Sequence, residues 1–248
     1  MFIALDESGN RTHIKDAKST STYFCPICGE ALCVRALNSL AVQQHFSHKR
    51  GSKCLDNWQH DMSEWHINWQ EQFPEECREI VVTKNGIKHR ADILIQNTVI
   101  EFQHSPISPE EFEERNFFYS DCGYNVVWVF DAADKVRGLS SEDPIDPMRC
   151  PFRELYWKRA KNTFRNRVPY NISIYLQYKS TIYNSQFQNQ MFDIMIKTKL
   201  VTPKAVHFEG THPYYITPQN FLKEYGVITD EKVFSITKIL DGTPYKYR

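Results

Sequence analysis

The stretch "HRADILIQNTVIEFQHSPIS", residues 89–108, decides the fold. Its two apolar runs flank Gln96-Asn97, which predicts a β-hairpin reversing at those two residues. Ile95 then pairs with Thr98, and counting outward sets Asp92 opposite Glu101. Period-two alternation puts Gln103 on the same face as Glu101. Like charges directly opposed in a sheet repel one another. Two acids and an amide on an otherwise apolar face therefore call for neutralisation, which a divalent cation supplies.

Upstream, "EIVVTK" and an Asn85-Gly86 turn add a third antiparallel strand. Before it, Trp58, Met62, Trp65, Trp69 and Phe73 recur at helical spacing until Pro74, which predicts an amphipathic helix over 58–73. That helix carries Glu64, with His66 two positions on. Both are read either as site residues or as members of a solvated polar face.

Downstream, Ser108-Pro109-Glu110-Glu111 is a capping box with proline at the first helical position, and the helix it opens runs to about Cys122, with Gly123 as its C-terminal cap. Phe112, Arg115 and Tyr119 share one face of it, so Arg115 lies on the side that packs against the sheet. A guanidinium there needs a carboxylate or a phosphate, and a structural ion pair with Glu101 is one reading. "YNVVWVF" follows as a near-continuous apolar strand suited to a sheet interior.

The N-terminal part reads differently. "FIAL" and "RTHIK" form a hairpin about Asp6–Asn10. Cys25-Pro26-Ile27-Cys28-Gly29 has the spacing of a zinc knuckle, and His45 and His48 follow after 16 intervening residues. Cys25, Cys28, His45 and His48 are the expected zinc ligands, with Cys54 able to replace one histidine. Cys33, inside "ALCVRAL", reads as a small buried hydrophobe. The chain has 7 cysteines, and in a protein expected to be cytoplasmic they favour metal binding over disulfides. The opening "MFIALDESGN" turns polar too soon for a signal peptide. No run approaches the roughly 20 apolar residues of a membrane span.

Charge is uneven: residues 61–150 carry 8 Lys/Arg against 18 Asp/Glu, and residues 151–248 carry 15 against 7. An acidic centre beside a basic third fits a metal-collecting site next to a polyanion-binding surface. Residues 139–151 have the Pro and Ser content of a linker. Beyond them "RELYWKRAKNTFRNR" predicts a basic helix, with Lys158, Lys161 and Arg165 on one side and Tyr156, Ala160 and Phe164 on the other. Such a stripe suits docking along a phosphate backbone, or is simply solvated. "ISIYLQY", "AVHFEG" and "YYITP" predict strands, and "PQNFLKEYG" a short helix.

The order Asp-x8-Glu-x-Gln on a hairpin between two helices resembles the PD-(D/E)xK nuclease superfamily. More narrowly, "HRADILI", "VIEFQHSPIS" and "FEERNFFY" resemble the CoiA family of competence-associated nucleases, as does their combination with an N-terminal "CPICG" and "HFSH". The resemblance covers about residues 1–130. It implies an α/β (α+β) fold: a restriction-endonuclease-like mixed sheet flanked by helices, with a small zinc-binding β module; the remainder, read from its own pattern, is a basic C-terminal α+β region. The expected division is 1–57, 58–138 and 139–248.

The resemblance also implies roles. Asp92 and Glu101 hold Mg²⁺ or Mn²⁺, Gln103 takes the place most superfamily members give to lysine, Glu64 is the acid often supplied by the preceding helix, and Arg115 supports the site. Arg90 and, from the basic stripe rather than the resemblance, Lys158, Lys161 and Arg165 are the expected DNA contacts. The implied function is metal-dependent hydrolysis of DNA, in processing incoming or foreign DNA, with partners from a competence or defence system. The alternatives are a non-catalytic DNA-binding or scaffold protein of the same fold, and a zinc-stabilised protein-interaction module.

Overall fold

The computed structural model describes residues 1–37, 39, 43–52, 54, 63–132, 136–138, 154–157, 163–164, 172–182, 190–201, 206–208 and 214–227. The chain is mixed α+β, with two sheets and three helices among these residues. The first sheet holds β1 (Ile3–Leu5), β2 (Arg11–His13), β3 (Tyr23–Phe24), β4 (Ala31–Arg35) and β5 (His45–His48), in the order β2-β1-β3-β4-β5. Its strands are antiparallel throughout. The expected first hairpin is present, closed by Asp6, whose Oδ1 accepts from Ser8 N and Asn10 N.

The second sheet begins with the three strands read from the sequence: β6 (Arg78–Lys84), β7 (Ile87–Ile95) and β8 (Thr98–Gln103). The register follows the expectation for Ile95 opposite Thr98, Leu94 opposite Val99 and Ile93 opposite Ile100. The pairing stops there and does not include the expected Asp92–Glu101 pair: Asp92 turns toward Gln70 and Glu101 toward Arg115, on opposite faces of the sheet. Gln96 and Asn97 both take positive φ, as a two-residue hairpin turn of the primed type requires. β8 then pairs in parallel with β9 (Asn125–Asp131), and β9 in parallel with β12 (Ile172–Ile182). Every residue of β8 is buried, as the interior position of a parallel pair demands.

The sheet continues through β10 (Val136–Gly138), β11 (Glu154–Trp157), β13 (Gln190–Val201), β14 (Val206–Phe208) and β15 (Tyr214–Ile216). Its order is β10-β11-β14-β13-β12-β9-β8-β7-β6, with β15 also on β13. Strands β12, β14 and β15 meet the expectation. The basic-helix reading does not: residues 154–157 form a strand held between β10 and β14. Of the apolar positions assigned to that helix, Phe164 is buried, in ring contact with Phe112 and Phe130. Lys158, Lys161 and Arg165 lie outside the described residues, as does the expected linker at 139–151.

Helix α1 spans Glu64–Gln70, and Ser63 caps it by accepting from His66 N. It is shorter than the predicted 58–73, since it closes at Glu71 well before Pro74; Trp58 and Met62 lie outside the described residues. Helix α2 spans Pro109–Asp121, capped by Ser108 as read. Helix α3 spans Pro218–Glu224.

The two faces of the sheet carry separate cores. Val99, Val126, Trp128 and Phe130 pack with Phe112 and Tyr119 of α2. Ile100, Phe102, Val127 and Val129 pack with Trp69 of α1 and Phe221 of α3. Alternation along β8 and β9 thus places α2 on one face and α1 with α3 on the other.

Candidate functional site

The acidic cluster stands where β8 approaches its C-terminal end. Parity puts Glu101 on the α2 face, where it is buried. Burying Phe112, Arg115, Asn116 and Tyr119 at helical spacing turns Arg115 inward. Its Nη1 donates to Glu101 Oε2 at 2.6 Å, and its Nε and Nη2 donate to Glu111 Oε1 at 3.1 and 2.6 Å. One guanidinium therefore serves two carboxylates.

Asp92 is held from the other layer. Its Oδ2 accepts from Phe102 N at 2.9 Å, and its Oδ1 accepts from Gln70 Nε2 of α1 at 3.2 Å. His66 Nε2, also on α1, lies 3.1 Å from the same Oδ1, an ion-pair contact rather than an aligned hydrogen bond. Glu64, the acid expected from this helix, is exposed at its first turn. The helix reaches Asp92 through His66 and Gln70 instead, which are one turn apart. The sequence offers His66, with Glu64, as either a site residue or part of a solvated face. The structure selects the site role for His66 and adds Gln70, which the sequence reading does not include.

The charges in this cluster are unbalanced. Burial and the neighbouring Asp92 push the Glu101 carboxyl up to about 7, against the partial offset of Arg115. Burial also presses upward on Asp92, but His66 and the Phe102 amide outweigh it and hold its carboxyl below the ordinary value. His66 is desolvated, yet Asp92 and Glu101 raise its pKa. Glu101 Oε1 is buried and takes no well-formed hydrogen bond, although the Tyr119 hydroxyl is close enough to influence it. A carboxyl pushed up by a neighbouring carboxylate, with a buried oxygen that takes no well-formed hydrogen bond, fits a divalent cation.

Gln103 is buried at the end of β8, and its Nε2 donates to the Ser105 carbonyl at 2.7 Å. The amide nitrogen must be the atom facing a carbonyl, which leaves Oε1 as the atom able to accept from a water. Arg90 is half-buried on β7. At the ends of β8 and β9, the His104 Nδ1 and Asp131 Oδ2 lie 2.7 Å apart. Trp65 and Trp69 both donate to Gln177 Oε1 of β12.

In the N-terminal sheet, Cys25, Cys28, His48 and Cys54 bring their ligand atoms within 4.8 Å of one another. The knuckle turn is closed by Gly29 N donating to Cys25 O, with Gly29 at φ 75°. Cys25 Sγ lies 4.0 Å from Cys54 Sγ, and Cys28 Sγ lies 3.4 Å from His48 Nε2. Tetrahedral zinc with ordinary bond lengths sets about 3.8 Å between sulfurs and about 3.5 Å between sulfur and nitrogen. This Cys3His group can bind a metal such as zinc.

His45 is not part of it. Positions 45 and 48 of one strand point to opposite faces, and His45 Nδ1 lies instead 2.9 Å from the Gln43 carbonyl. Cys54 takes the fourth place. Among the described residues no other group brings three or more His, Cys, Asp or Glu ligand atoms together. Cys33 is half-buried on β4, outside the group. No helix among the described residues is long and apolar enough to cross a membrane.

A mixed sheet that holds the half-buried Asp92 and the buried Glu101 between helix layers, joined to a Cys3His module, fits a nuclease-like class. Family models agree: residues 7–57 match the N-terminal domain of competence protein CoiA, and residues 48–143 match its nuclease-like domain. Together they span more than half of the chain, which belongs to the CoiA-like competence protein family. Neither the curated proteins nor the solved structures contain a match.

Proposed function

We propose that this protein is a metal-dependent nuclease that hydrolyses phosphodiester bonds of DNA, acting in the cytoplasm on incoming or foreign DNA. The observation that carries the reading is that Asp92, anchored on the Phe102 amide next to Glu101, and Glu101 itself are held from two helix layers near enough for the Asp92 charge to act on Glu101, in a domain of the CoiA nuclease-like family. Asp92 and Glu101 are the residues that would hold Mg²⁺ or Mn²⁺, with waters and phosphate oxygens completing the shell as Mg²⁺ commonly prefers. When bound, such an ion activates water and neutralises charge on the scissile phosphate.

The chain's own residues have separable tasks. Arg115 keeps the Glu101 carboxylate oriented and partly neutralised. Gln70 and His66 keep Asp92 in place. Gln103, tied back to Ser105, presents its carbonyl oxygen to orient a water by accepting a hydrogen bond from it. Arg90 and the basic C-terminal third supply phosphate contacts. Zinc in the Cys3His group staples a module with a small core of its own.

The test is cleavage of single- and double-stranded DNA with Mg²⁺ or Mn²⁺ by the wild type, Asp92→Ala and Glu101→Ala, each checked for native folding. Cleavage confined to the wild type supports the reading, and equal cleavage by all three sinks it. A second reading, a DNA-binding protein that keeps the fold without cutting, draws on Gln103, a neutral amide that cannot stabilise charge as a lysine does. Salt-dependent DNA binding by the wild type with no cleavage in either metal would select it.

A further inference from the structure

Helix α1 faces two ways. Its Ile67 belongs to the core of the N-terminal module, together with Phe2, Ile14, Cys25 and Phe46. His66 and Gln70, on the adjoining face, reach Asp92. Glu79 binds the same seam from the sheet side: it is 2% exposed, and its carboxylate accepts from Phe2 N and Ile3 N. Lys15 reaches Glu71 just past the end of α1 at 2.6 Å, and Arg78 donates to the Phe73 and Glu71 carbonyls there. A small cavity lined by Phe2, Ile3, His13, Ile67, Gln70 and Glu79 runs along this seam.

A buried glutamine is usually just a satisfied polar group. Gln70 differs in that its partner is a candidate metal-binding carboxylate and its helix is seated in the core of another module. An amide donor holds a carboxylate in one orientation without adding charge, so it fixes the geometry a cation needs and does not offset the negative charge that attracts it.

We propose that α1 is a strut between the Cys3His module and the acid pair, and that Gln70 is the positioning residue through which the module sets the Asp92 carboxylate. This inference rests on the metal-dependent reading above. It makes the module part of the site's construction.

The experiment is calorimetric titration of the zinc-loaded full chain with Mn²⁺, for the wild type, Gln70→Leu, Ile67→Ala and the double variant, with Asp92→Ala as the control that locates the site. Gln70→Leu is expected to weaken Mn²⁺ binding about tenfold, the low end for losing a supporting hydrogen bond to a metal ligand. Its melting point without Mn²⁺ should stay within a few degrees of the wild type. Ile67→Ala should weaken Mn²⁺ binding in the wild-type background and have little further effect beside Gln70→Leu.

Mn²⁺ affinity of Gln70→Leu within about twofold of the wild type overturns the proposal, whatever the stability of Ile67→Ala. Additive effects of the two substitutions overturn the coupling. A wild type that binds no Mn²⁺ overturns the metal reading and this inference with it. A wild type that binds Mn²⁺ but cuts no DNA removes only the nuclease reading.

Discussion

The Arg115 guanidinium meets the Glu101 carboxylate at 2.6 Å, with both side chains almost wholly removed from solvent. A pair in this setting contributes little by existing, because desolvation opposes attraction, but breaking it is costly. Arg115→Met leaves Glu101 as a buried acid without its cation and is expected to lower stability by about 3–5 kcal/mol at mildly alkaline pH. Arg115→Lys should recover only part, since an ammonium cannot fork between Glu101 and Glu111 as the guanidinium does. Urea unfolding measures both, and an Arg115→Met loss within experimental error would show that the pair is dispensable.

Stability should fall as pH rises across the neutral range. Glu101 is raised from 4.5 to about 7, so the native state keeps a proton that the unfolded chain has already lost. The native state therefore loses stability as pH climbs from about 4.5 through about 7. His66, raised above 6.5, adds stability that is present below that value and lost above it, which is the same direction. Asp92, lowered from 3.8, acts oppositely, and its contribution disappears only at acid pH. Denaturant titrations in chelator-treated buffer between about pH 5 and about pH 8 should show the decline, and Glu101→Gln should flatten it.

Zinc content separates the two assignments for the fourth ligand. Cys54→Ser is expected to lose most of its bound zinc, whereas His45→Ala should keep about one ion per chain. Elemental analysis after gentle purification reads both. Retention by Cys54→Ser with loss from His45→Ala would reverse the assignment.

Glu79 has φ 47° and is the acceptor for two buried backbone amides. Glu79→Ala orphans both donors and keeps the unfavourable backbone, so about 2–3 kcal/mol of stability should go. Glu79→Gly loses the same acceptor but relieves the left-handed conformation, and should be less damaging than Glu79→Ala by about 1 kcal/mol. Thermal unfolding of the two variants gives the comparison. Equal melting points would mean that φ is not strained at this position.

The hairpin of residues 89–108 was legible because three local signals agreed: the Gln96-Asn97 turn, period-two alternation and the Ser108-Pro109 cap. Arg115 was legible for a similar reason, since helical spacing alone turns it toward the sheet. His45 stays outside the metal group because a strand sends positions 45 and 48 of HFSH to opposite sides, which the spacing of the two histidines from the knuckle does not reveal. Residues 154–157 look helical by composition, yet their state is decided by β10 and β14, strands distant in sequence. The choice of His66 and Gln70 over Glu64 depends on how α1 lies across the sheet, which no local pattern encodes.

The parallel pairing of β12 with β9 bears on how the protein can be divided. The matched nuclease-like region ends at residue 143, and β12 begins at Ile172, so a fragment cut at the family boundary lacks its neighbour on one side of β9. Strand β9 is almost entirely apolar and would become an open edge, offering unpaired amides and carbonyls to any other strand. Isolated in that form, the nuclease-like region is built to recruit another chain, and its self-association would be a property of the cut rather than of the protein.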